Sequence, residues 1–192
     1  TILGHILHLI ADLSVPAHTR DDVHVLGDSY EEYVKKNPDL VFESKNEVYV
    51  INNINEAIEQ VAKYSNSFFY SDDTIESDKY DKVLIVDSSI QKNQDGNSIL
   101  YYMAKDKNGM LYKLYAKSQG TDWNSNEVSS VNLPEIQKDY SKLLLPKAIG
   151  YSKAVIDLFF KEVNDKSIQQ TASVKSIWIG PLFQFGEDVI KG

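Results

Sequence analysis

The chain has 192 residues, enough for one domain with a sizeable core. Its 42% hydrophobic and 25% charged residues are those of a globular protein, and no apolar run approaches the roughly 20 residues of a membrane-spanning helix. Twenty-eight acidic against 20 basic side chains leave a net charge of −8, which disfavours broad binding to a polyanion, and the absence of cysteine excludes disulfides and thiolate metal ligation.

Ile2, Leu3, Ile6, Leu7, Ile10 and Leu13 recur at helical spacing, predicting a buried helix ended by Ser14-Val15-Pro16. His5, His8 and Asp12 share one face of it, at offsets that stack side chains on successive turns. The pattern starts at Thr1 with no cap, methionine or basic leader region, so a processed or truncated amino terminus is expected. Ser29 to Glu32 reads as a capping box opening a short helix through Lys36, stopped by Asn37-Pro38. Residues 53–70 form an amphipathic helix with Ile54, Ile58, Val61, Ala62, Ser65 and Phe69 toward the core.

The period then changes to two. Val83–Ile90, Ile99–Lys105 and Met110–Lys117 read as an antiparallel meander, joined by Asp95-Gly96-Asn97 and by Asn108-Gly109 in type I′ turns. Residues 119–133 are polar and read as a loop. A helical pattern follows Leu133-Pro134, and Pro146 is placed in the first turn of a long helix through Val163. The tail around Val174–Phe185 suggests one or two strands. The fold expected is therefore mainly α with an inserted β-meander, α+β overall. Residues 1–165 would form a helical metal-binding domain with its insertion at about 82–117, and 166–192 a C-terminal extension starting a further β element.

All four histidines lie between positions 5 and 24, followed closely by Asp28 and Glu31. Imidazole nitrogen and carboxylate oxygen suit zinc, and short intervals let several converge at little entropic cost. A helical His near an Asp is more often a hydrogen-bonded pair, but four histidines in so short a window favour ligation by at least three of His5, His8, Asp12, His18, His24, Asp28 and Glu31.

Leu3-Gly4-His5-Ile6-Leu7-His8-Leu9-Ile10-Ala11-Asp12-Leu13-Ser14-Val15-Pro16-Ala17-His18 resembles the signature of bacterial zinc-dependent phospholipases C, a family sharing its helical fold with the single-strand-specific zinc nucleases. Leu145 through Phe160 is similar to the closing helix of that domain, so the resemblance covers about residues 1–36 and 140–165 and leaves the meander as an insertion. It implies three zinc ions in a cleft, with His8 and Asp12 on one ion and His18, a second histidine and a glutamate on another. His24 is the histidine left for that role. Tyr30-Glu31 matches the family's aromatic-Glu pair, although Gly27 stands where a histidine usually precedes that Glu; Glu31 is favoured over Asp28.

The family's remaining ligands and its general base lie upstream of the signature. The expectation here is thus a fragment or partial relative holding one or two ions, in which His5 either replaces a missing ligand or merely supports Asp12. The resemblance implies hydrolysis of a phospholipid or other phosphodiester, possible contact with a membrane surface, no obligate protein partner, and an extracellular or cell-envelope location. A zinc nuclease and a non-catalytic metal-binding module are the alternatives. On the meander Tyr101, Tyr102, Met103, Met110, Tyr112 and Tyr115 would supply a lipid-facing surface, or, as period-two aromatics more often do, the buried face of a sheet. Lys105, Lys107, Lys113 and Lys117 are the basic residues a nuclease would use, or solvated hairpin lysines.

Overall fold

A computed structural model describes the backbone of residues 2–22, 27–44, 47–92, 96, 98–118 and 128–190, and side chains as far as residue 165. The elements in order are α1 (Ile2–Leu13), α2 (Pro16–Thr19), α3 (Ser29–Lys36), α4 (Asp39–Glu43), α5 (Ile54–Phe68), a 3₁₀ turn (Asp72–Thr74), β1 (Ile85–Lys92), β2 (Ser98–Lys105), β3 (Leu111–Ser118), β4 (Val128–Ser130) and α6 (Pro134–Ile190). The four strands form one antiparallel sheet in the order β1-β2-β3-β4. The architecture is α+β; the sheet is too large a part of it for a mainly α description. Among the described residues no helix is long and apolar enough to cross a membrane.

Two apolar clusters hold these elements. Ile10 of α1, Ala57 and Val61 of α5, and Tyr151, Ala154 and Val155 of α6 form one, with Leu3, Ile6, Leu7 and Leu13 packed partly against it. Ile2 stays exposed, so the apolar stripe of α1 is narrower than its periodicity suggests. Phe69, Tyr112, Leu114, Ile136, Tyr140 and Leu144 centre the second, between the sheet and the first turns of α6. Tyrosines supply much of its volume, and several of their hydroxyls find partners as buried phenols require, although that of Tyr30 has none among the described residues. Tyr140 donates to the Leu114 carbonyl at 2.7 Å and accepts the Tyr70 N–H at 3.2 Å, while Tyr112 donates to the Phe68 carbonyl. Burial raises the pKa of both phenols, so they remain neutral donors.

Several expectations change in the folded chain. α3 is capped by Asp28, whose carboxylate accepts the Tyr30 and Glu31 N–H groups at 2.9 and 3.0 Å, and Ser29 is its first helical residue. α4 follows Pro38 directly. The buried face of α5 is rotated to include Ala57 and Tyr64, because α1, α2 and α6 all close on it. β4 forms within the segment expected to be a loop.

The β2–β3 turn is a type I turn followed by a left-handed glycine. Gly109 has φ 80, whereas Asp21 is the only non-glycine with positive φ among the described residues. Asp106 sets that geometry: its buried carboxylate accepts the Asn108 and Met110 N–H groups at 2.9 and 2.8 Å and the Tyr64 hydroxyl at 3.1 Å. At the other turn Gly96 has φ 81; residues 93–95 and 97 lie outside the described residues.

Pro146 lies inside α6. It removes one backbone donor, yet the helix continues because Leu143, Leu144, Lys147 and Tyr151 are buried on both sides of it. The tail expected as strand is also helical, through Ile190. A strand needs an edge to pair with, whereas a propagating helix satisfies each added residue's backbone internally.

The 47–51 segment crosses α6 at Gly150, where a Cβ would stand 2.6 Å from the Glu47 carbonyl oxygen and 2.8 Å from the Tyr49 ring. Tyr49 stacks on Tyr151 at 3.8 Å, and buried Lys147 pairs with Glu47 and donates to the Tyr49 hydroxyl at 2.8 Å. Gly150→Ala forces that crossing apart and is expected to lower stability by about 1–3 kcal/mol. Urea unfolding of the variant beside the wild-type protein measures the loss.

Candidate metal centre

α1 ends where the sequence places its stop: Ser14 and Val15 donate backbone N–H groups to the Ala11 and Asp12 carbonyls at 3.1 and 2.9 Å. Pro16 then opens α2 with its φ already helical and no N–H to satisfy. This brings His18 round the corner from Asp12.

α2 is a single turn and could not hold its position alone. It is clamped to α5. The Asn66 side chain donates to the Thr19 carbonyl at 2.7 Å, and the Thr19 hydroxyl donates to Ser65 at 3.2 Å. Arg20 is the largest side chain in the clamp and is only 1% exposed. Its Nε and Nη2 donate to the Asn66 carbonyl at 3.1 and 2.6 Å, and its guanidinium lies over the rings of Tyr70 at 4.8 Å and Tyr80 at 5.3 Å. Burial pulls the Arg20 pKa below its ordinary value.

α3 is positioned separately. Tyr30 is buried, and Gln137 of α6 donates to the Ser29 hydroxyl at 2.9 Å. With Asp28 at the cap, Glu31 falls in the first turn on the side facing α2.

Asp12, His18 and Glu31 converge as a result: one donor atom from each lies within 4.8 Å of the other two. His18 Nε2 is 3.4 Å from Glu31 Oε1. His8 Nε2 is 3.5 Å from Asp12 Oδ2, one helical turn away. Two ligands of one tetrahedral zinc with bonds of about 2.1 Å stand about 3.4 Å apart, so both pairs have a spacing that such an ion accepts. Simple ion pairs have the same spacing when the imidazole is protonated. His18 is about one-third exposed and Glu31 somewhat more, so the group is open to solvent on one side.

The expected residues are thus regrouped. Asp12, assigned with His8, also meets His18 and Glu31, and the two expected halves share it. Asp28 is outside the group, its carboxylate occupied by the N-terminus of α3. His5 is exposed on α1 and does not join. His24 lies outside the described residues. Sequence reasoning missed Arg20 and Asn66, because a surface-type arginine and a helical asparagine carry no pattern that announces their burial. No protein-family model, curated protein or solved structure matches the chain.

Removing the guanidinium leaves the Asn66 carbonyl short of two donors beneath two tyrosine rings. Arg20→Ala is expected to lower stability by about 2–4 kcal/mol. It should also loosen α2, which amide hydrogen exchange would register as lost protection at Thr19 and Arg20 with little change in the sheet.

Proposed function

We propose that the chain is a zinc-dependent phosphodiester hydrolase of phospholipase C type. The observation that carries this reading is the meeting of Asp12, His18 and Glu31 at one point, with His8 one turn from Asp12. It combines with the resemblance of residues 3–18 to the family signature.

The donor set of imidazoles and carboxylates fits zinc, and the two half-exposed carboxylates would balance the charge of one ion. Asp12 would be shared by His8 on one side and by His18 and Glu31 on the other, so a second ion could be held at His8-Asp12. The chemistry supplied on binding is Lewis acidity, which polarises a phosphoryl oxygen and acidifies a water. The protein's part is positional: the α2 clamp fixes His18, the Asp28 cap fixes Glu31, and the solvent-facing side admits a substrate. None of these side chains is assigned as the general base.

The substrate under this reading is a phosphodiester, a phospholipid headgroup in the first instance, met outside the cytoplasm. The sheet does not supply the lipid-facing aromatic surface considered above: Tyr101, Tyr112 and Tyr115 are buried, and Tyr102 and Met103 are half-buried, with Met110 exposed.

Zinc should bind the wild-type chain in at least equimolar amount by elemental analysis after dialysis. His18→Ala, which leaves the clamp intact, should lower retained zinc and reduce hydrolysis of bis(4-nitrophenyl) phosphate and of phosphatidylcholine at least 100-fold, about 2.7 kcal/mol. A wild-type chain that retains no zinc rules the reading out. One that retains zinc yet hydrolyses neither substrate is a binding module instead.

A further inference from the structure

His18 of the donor group also lines a cleft whose far wall is α5. His18 and Leu13 line one side, and Ala62, Lys63, Asn66 and Ser67 line the other. Lys63, Asn66 and Ser67 are spaced at i, i+3 and i+4, which puts them on one face of the helix. The Asn66 amide is committed to the Thr19 carbonyl. The other two are not committed. The Lys63 ammonium and the Ser67 hydroxyl are exposed and make no ion pair or hydrogen bond with a described residue.

Charge makes that position informative. The chain is net −8, and Asp12 and Glu31 add negative charge beside His18. An anionic substrate approaching this point is repelled by the field of the protein, and an unpaired ammonium in the same cleft offsets the repulsion locally. Lysine is a compact, mobile point charge with three donors, and serine adds a hydroxyl able to donate to a second oxygen. Leu13 and Ala62 add apolar surface on the two sides, which suits the ester portions of such a substrate.

We propose that Lys63 and Ser67 form an anion subsite beside His18 that receives the non-bridging oxygens of a phosphodiester. This rests on the hydrolase reading for its substrate class, but the subsite belongs to α5 and can be tested without metal. Lys63 is a binding residue here, and it selects a charged diester over a neutral ester.

Inorganic phosphate titrated calorimetrically at low salt into the zinc-free full chain should bind weakly, and Lys63→Met should weaken that binding about tenfold, equivalent to about 1.4 kcal/mol. Lys63→Arg should retain it, and Ser67→Ala should weaken it by less. Equal phosphate binding by wild type and Lys63→Met, or none by wild type, overturns the subsite. In the zinc-loaded chain Lys63→Met should raise KM for bis(4-nitrophenyl) phosphate about tenfold with kcat and zinc content nearly unchanged, and leave KM for the neutral diethyl 4-nitrophenyl phosphate unmoved. An equal rise for both substrates also overturns it. Loss of phosphate binding in Lys63→Met of a chain that shows no turnover supports the subsite while removing the hydrolase reading.

Discussion

The candidate centre depends on the attachment of one helical turn to α5. α2 is four residues long, and its intrinsic stability is negligible. Arg20, Thr19 and Asn66 replace that missing stability with directional hydrogen bonds, and the rings of Tyr70 and Tyr80 beside the guanidinium recover part of what its hydration loses. A buried cation without a carboxylate partner is unfavourable in isolation. Here it accompanies a geometric requirement, since His18 reaches Asp12 and Glu31 only if the turn after α1 stays folded against α5.

The same use of polar groups inside apolar surroundings recurs between sheet and helices. Tyr140, Tyr112, Tyr70 and Tyr64 fill the second core with ring volume while tying separate elements together through their hydroxyls. Leucine at these positions would keep the burial and lose the register. Asp106 illustrates the coupling: one carboxylate shapes the β2–β3 turn and holds Tyr64 of α5, so the sheet and the wall of the cleft are not independent bodies. A large aromatic content on a β-meander is therefore consistent here with a core function, which removes the need to invoke a lipid surface for it.

Much of the secondary structure was legible along the chain. α1, α3, α5, β2 and β3 lie where their periods put them, whereas β1 runs Ile85–Lys92, two residues later than expected, and is almost wholly exposed, so pairing with β2 rather than a buried face places it. The failures share a cause. Ser29 and Asp28 are both good caps; in the fold Asp28 takes the role, while the Ser29 hydroxyl accepts from Gln137, 108 residues away. Pro146 reads as a helix start to any local rule, but packing of Leu143, Leu144 and Lys147 outweighs the lost hydrogen bond. The centre divides in the same way: a histidine window signals ligand chemistry, yet which histidine meets which acid depends on an inter-helix angle.

By itself the sequence determined the type of donor available, nitrogen and oxygen without thiolate, the concentration of all four histidines between positions 5 and 24, and the His8-Asp12 pair, because helical spacing alone brings those two together. The tertiary structure decided that Asp12 also meets His18 and Glu31, that Asp28 serves as a cap, and that Lys63 lines a cleft with His18. Those outcomes depend on how α1, α2, α3 and α5 are held against one another by long-range contacts such as Arg20 with Asn66 and Ser29 with Gln137. No local periodicity encodes such contacts, since their partners are separated by tens of residues and meet only when the core has closed.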